Sequence, residues 1–100
     1  MKRSRILAAG IAVSMMTMAL APQAAEVERG ALLTSSCYAC HSIDTTGNMP
    51  NLVGYPRDLL VSQMQAFKDG SRPGTIMNRL AKGYSDEEIV LIADYFATIQ

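Results

Sequence analysis

The chain has 100 residues, with nine basic and nine acidic side chains, two cysteines and a single histidine. That length holds one small domain. Beyond residue 25 no basic block remains, which excludes nucleic acid and anionic membrane as partners.

Met1-Lys2-Arg3-Ser4-Arg5 is a basic start, followed by an uncharged apolar run from Ile6 and then small residues at Ala21, Ala24 and Ala25. This is the pattern of a cleavable secretory signal peptide, expected over residues 1–25 and directing the remainder, 26–100, to the periplasm. The apolar run is shorter than the roughly 20 residues a spanning helix needs. Removing it takes Lys2, Arg3 and Arg5 and no acid, so the mature chain keeps six basic and nine acidic residues, a net −3. A mature domain this small is marginal without a disulfide, a metal or another staple.

The spacing predicts a short helix over residues 28–34, with Ala31, Leu32 and Leu33 as its apolar part. Residues 42–56 carry Gly47, Pro50, Gly54 and Pro56 and read as loop. An amphipathic helix follows over 57–68: Leu60, Met64 and Phe67 fall on one face, and Gly70 stands where a C-terminal glycine belongs. Ser71-Arg72-Pro73-Gly74 is a second break, and 75–82 has room for two helical turns before Gly83. Ser85-Asp86-Glu87-Glu88 is a capping box with acids in the first turn. It opens a last helix expected to bury Ile89, Ile92, Phe96 and Ile99. No stretch alternates as a strand. The expectation is an all-α fold of three to four short helices.

The motif that carries chemistry is Cys37-Tyr38-Ala39-Cys40-His41, which contains every Cys and His of the chain. Four readings compete. A structural disulfide suits an exported protein, but the loop it closes is too short to add much stability. A thioredoxin-like redox pair needs a βαβ setting, and none is predicted. Zinc needs four ligands, and the motif supplies three. Cys-x-x-Cys-His is the signature of covalent haem attachment, with the thiols on the porphyrin and the imidazole on the iron. A buried haem c also supplies the apolar bulk that so small a core lacks. Haem c is the reading adopted, with Cys37 and Cys40 as attachment points and His41 as iron ligand.

No second imidazole exists, so the sixth position is open or held by a softer ligand, of which methionine is the usual one. Met49, Met64 and Met77 lie beyond the signal segment. Met64 shares the apolar face of Leu60 and Phe67 and reads as core. Met49 closely follows the motif. Met77 stands beyond a helix and a Gly/Pro break, which gives the chain room to cross to the other face of the haem, and it is the favoured ligand. A ligating imidazole donates its other N–H to a carbonyl, and the loop Met49-Pro50-Asn51-Leu52-Val53-Gly54 can supply one. Tyr55, Arg57, Arg72 and Arg79 are candidate partners for the haem propionates.

Taken together, Gly30, CYACH, the Met49–Gly54 loop, Met77 and a final helix bearing Tyr95 and Phe96 resemble the class I cytochromes c over the whole chain after residue 25. The resemblance implies the class I fold wrapped around one haem, Pro50 as the carbonyl that accepts from His41, Met77 as axial ligand, and a close crossing of the first and last helices at Gly30. One departure is Met49, where many members have glycine. A narrower resemblance rests on Phe67-Lys68-Asp69-Gly70-Ser71-Arg72-Pro73-Gly74-Thr75-Ile76-Met77 and Ala81-Lys82-Gly83-Tyr84-Ser85-Asp86-Glu87-Glu88-Ile89. These stretches look like the cytochrome subunit of flavocytochrome c sulfide dehydrogenase, in a one-haem form. That implies electron transfer in sulfide oxidation, with a FAD-containing subunit as donor and a soluble cytochrome c as acceptor. The chain would then be the electron-transfer subunit of an oxidoreductase, with no catalytic residue of its own. The alternative is a free electron carrier like cytochromes c4 and c5.

Overall fold

The computed structural model describes residues 21–42 and 49–99. The expected signal segment lies outside them except for its last five residues. Four α-helices follow in order: α1 (Ala21–Thr34), α2 (Arg57–Asp69), α3 (Met77–Ala81) and α4 (Asp86–Thr98), with a single 3-10 turn at Cys37–Ala39 after α1. No strand occurs among the described residues. The all-α expectation holds.

The helix ends follow local chemistry. Pro56 stands at the N-cap of α2, Asp58 lies in its first turn, and Gly70 closes it with φ +84°. That left-handed conformation is open to glycine without strain. At α4 the Ser85 hydroxyl accepts from the Glu88 N–H at 3.1 Å, and the Glu88 carboxylate accepts from the Ser85 N–H at 3.2 Å. The capping box is therefore complete. By contrast α1 begins at Ala21, seven residues before the predicted start, and runs through Ala25.

α4 is the hub. Its Ile89, Ile92, Ala93 and Phe96, spaced i, i+3, i+4, i+7, are all buried. One side of it packs on α1 and the other on α2, while α3 leans on α2. Leu52, Leu60, Met64 and Ala81 complete the buried cluster. The Tyr38 and Tyr95 rings meet Phe96 edge-on, with centroids 5.6 and 5.9 Å away. Within the apolar part of α1, Leu32 is 69 % exposed, because the face turned to α4 carries the buried Gly30 and Thr34. One expectation needs correction. Ile99 lies past the end of α4 on extended backbone, although it still packs against the core.

The contact between α1 and α4 is unusually close. A Cβ added at Gly30 would stand 2.9 Å from the Leu91 carbonyl oxygen and 3.3 Å from the Tyr95 Cβ. The first obstacle is backbone, which cannot rotate aside. Gly30→Ala should therefore destabilise the protein by about 1–3 kcal/mol, as overpacking does, even though alanine is the better helix former. Thermal unfolding followed by circular dichroism checks the sign, which would be positive if the crossing were loose.

Candidate functional site

The short turn after α1 sets the site. The Cys37 carbonyl accepts from the Cys40 N–H at 3.2 Å and from the His41 N–H at 2.8 Å. One turn of chain thus gathers both thiols and the imidazole. Cys37 is half-buried and Cys40 exposed, and no disulfide joins them. Burial pushes the Cys37 thiol above its ordinary range. The His41 Nδ1 lies 2.8 Å from the Pro50 carbonyl oxygen. A carbonyl only accepts, so Nδ1 carries the proton and the Nε2 lone pair is left for a ligand.

These residues open onto a cavity of about 540 Å³. Leu52, Leu60, Met64, Phe67 and Ile92 give it apolar walls, and Met77, Ile76 and Leu80 line it from α3 and the loop before it. Such a volume and lining belong to the usual range of cofactor sites. Among the described residues no group of three or more His, Cys, Asp or Glu side chains gathers to hold a bare metal ion. A flat apolar group with a metal at its centre fits what is present: two thiols, one imidazole of fixed tautomer and a greasy hollow.

Met77 and Met49 both line the cavity, and so does the buried Met64. Of the four residues named for propionates, Tyr55 and Arg72 are on the lining, while Arg57 and Arg79 are not. Arg57 is engaged elsewhere: its Nε donates to Asp94 on α4 and its Nη1 to Asp58, 2.8 Å away. Those carboxylates hold its pKa above the ordinary guanidinium value. Arg79 is exposed. The Arg72 guanidinium lies over the Phe67 ring, 4.9 Å from its centroid. The residue the sequence pattern passed over is Gln63, which lines the cavity and accepts from the Tyr55 hydroxyl at 2.9 Å. Its signal was a polar side chain beside Met64 and one turn from Leu60, on a stripe otherwise apolar. Ser36 and Tyr84 also reach the lining, with their hydroxyls 3.2 Å apart.

No family model matches the chain. It is 39% identical over 69 residues to cytochrome c-554(548) of Halomonas halodenitrificans, covering 63% of this chain and 83% of that one. The chain belongs to the class I c-type cytochromes. The cytochrome is also 41% identical over 73 residues to the cytochrome subunit of sulfide dehydrogenase of Chlorobaculum tepidum, covering 71% of this chain and 66% of that subunit. Against the thiosulfate dehydrogenase electron acceptor of Thiomonas intermedia it is 33% identical over 70 residues, 66% of this chain and 32% of the relative. The chain thus spans about two thirds of the first of these two and about a third of the second. As a c-type cytochrome with a single CxxCH motif it carries one covalent haem c and acts as an electron carrier.

Because Arg57 sits off the cavity in an exposed ion pair, Arg57→Ala should leave the reduction potential unchanged and lower stability only slightly. Voltammetry of the purified holoprotein checks this. A clear drop in potential would return Arg57 to the haem environment.

Proposed function

We propose that Cys37 and Cys40 bind the haem as thioethers, that the His41 Nε2 is one axial ligand, and that the Met77 sulfur is the other. The observation that carries this reading is the shared cavity: Cys37, Cys40, His41 and Met77 line one apolar hollow although 36 residues separate the ligand pair. When bound, haem supplies reversible one-electron chemistry at iron. The chain's own residues do the rest. Pro50 holds the imidazole in one tautomer and one orientation through its carbonyl and raises the basicity of the ring. Leu52, Leu60, Met64 and Ile92 keep water from the interior, which disfavours the more highly charged oxidised state and raises the potential. Arg72 and the amide N–H groups of Gln63, whose Oε1 accepts the Tyr55 hydroxyl proton, offer donors for the propionates, with Tyr55 orienting the amide.

The donor we infer is a FAD-containing, sulfide-oxidising subunit in the periplasm, reached after removal of residues 1–25, with a soluble cytochrome c as acceptor. The similarity to a sulfide dehydrogenase cytochrome subunit supports it. So do Ile76 and Leu80, which remain 49 % and 47 % exposed beside the cavity and offer an apolar rim to a docked protein. No helix among the described residues is long and apolar enough to cross a membrane. A free carrier is the second reading, favoured by the likeness to cytochrome c-554(548), most of whose length the chain covers. Native purification separates the two. Flavin co-eluting with haem, and both reduced on adding sulfide, is expected of a subunit; haem c alone on a monomer-sized particle is expected of a carrier.

Replacing the distal ligand tests the axial assignment. Met77→Ala should give a high-spin or imidazole-binding haem with a lowered potential, read by absorption spectroscopy and voltammetry. An unchanged spectrum moves the ligand to Met49. His41→Ala should yield a chain that does not mature, since without the cofactor the cavity leaves the core unclosed. A cooperatively unfolding haem-free variant would contradict that.

A further inference from the structure

The side chain of Asn78, next to Met77, makes three hydrogen bonds, all to backbone. Its Oδ1 accepts from the Gly74 N–H at 2.7 Å. Its Nδ2 donates to the Phe67 carbonyl and to the Arg72 carbonyl, both at 2.9 Å. The amide orientation is fixed by its partners: turned over, it would set its NH2 against an N–H and its oxygen against two carbonyls.

The three partners lie in different places. Phe67 O is one of the last carbonyls of α2, which the helix itself leaves unpaired. Arg72 and Gly74 belong to the break between α2 and α3. Asn78 therefore ties α3 both to the end of α2 and to the loop that precedes Met77. α3 has five residues, a single turn whose own hydrogen bonds do not fix it, so its place is set by what it touches: the buried Ala81 and the bonds of Asn78. The loop is further compressed around the same point. A Cβ at Gly74 would stand 2.9 Å from the Phe67 ring, and the Arg72 guanidinium covers that ring.

We propose that Asn78 is the positioning residue for the distal ligand, holding Met77 at the cavity by clamping α3 and the 71–76 loop to the end of α2. This rests on Met77 as axial ligand. Asn78 does not contact the reacting centre; it acts through the segment that carries Met77. Losing the clamp lets that segment swing away and lets exogenous ligands compete for iron.

The test uses the full-length holoprotein and imidazole as probe. Asn78→Asp keeps an acceptor for Gly74 and loses both donors, and Asn78→Ala loses all three bonds. Ser85→Ala is the control, because it weakens the cap of α4 and touches neither the loop nor α3. Both Asn78 variants should bind imidazole about tenfold more tightly than the wild type, the change expected when two donated hydrogen bonds are lost. Their methionine-to-iron band should also bleach at lower temperature than the helices melt, while Ser85→Ala binds imidazole as the wild type does. Equal imidazole affinity in the Asn78 variants and the wild type overturns the proposal, as does an equal gain in Ser85→Ala, which would make the effect one of stability alone. Should the variants not fold, the wild type still answers. Saturating imidazole, which displaces Met77, should speed amide exchange at the Gly74 N–H several-fold, because coupling is reciprocal; an unchanged rate overturns the clamp. Met77→Ala separates the two levels. If it leaves imidazole affinity unchanged, the axial assignment falls and the clamp with it; if it raises affinity while the Asn78 variants do not, the clamp alone falls.

Discussion

An apolar hollow of about 540 Å³ between short helices is the constraint from which the rest of the structure follows. Its walls are the same side chains that make the core: Leu52, Leu60, Met64 and Ile92 are buried on one side and face the cavity on the other. A chain this short cannot bury enough surface around a centre it does not fill. Covalent haem closes that deficit, and the motif proposed to hold it costs the fold almost nothing. Two thiols and an imidazole within five residues need only one turn of chain, whereas a cofactor held by scattered ligands would need several elements already in place.

Around the hollow, rigidity is unevenly distributed. The proximal side is fixed locally, by the turn at Cys37 and by the Pro50 carbonyl nine residues away from His41. α4 is fixed by an exceptionally close approach to α1, where Gly30 lets the two backbones meet, and by Phe96 at the centre of an aromatic cluster. The Phe96 carbonyl also accepts from the Gly54 N–H at 2.9 Å, so the loop that carries Pro50 is anchored to the end of α4. Helix crossing and histidine orientation are thereby linked through one short loop.

What could be read from the sequence was what local chemistry decides. Gly70 and the Ser85–Glu88 box mark their helix ends by backbone freedom and hydrogen bonding within four residues, and both stand where expected. Cys37, Cys40 and His41 were legible as a motif, and the turn that joins them is local too. What local pattern did not reveal is long-range. Leu32 belongs to the apolar part of α1, but the register of α1 on α4 is set by Gly30 against Leu91. Arg57 looked available to the cofactor, but its partner Asp94 lies 37 residues away on α4. Gln63 was hidden because a polar residue on an apolar stripe reads as a solvated edge until Tyr55 is placed beside it. Asn78 was hidden because its partners at 67, 72 and 74 come together only when the chain reverses after Gly70.

The two sides of the cavity therefore differ in kind. On the histidine side the motif closes within one turn of chain, and the loop that carries the Pro50 carbonyl is held by the end of α4 through Gly54. The methionine side comes from a one-turn helix at the end of a Gly/Pro loop, held by the buried Ala81, by the Asn78 amide, by the Arg72 N–H on the Ala66 carbonyl and by the Arg72 guanidinium on the Phe67 ring. On the proposed assignment of Met77 as axial ligand, the stiffness of this side sets how little the ligand set changes between oxidation states. A single turn of helix cannot supply that stiffness alone. It draws on the C-terminus of α2, whose Phe67 carbonyl accepts from the Asn78 amide and whose Ala66 carbonyl accepts from the Arg72 N–H.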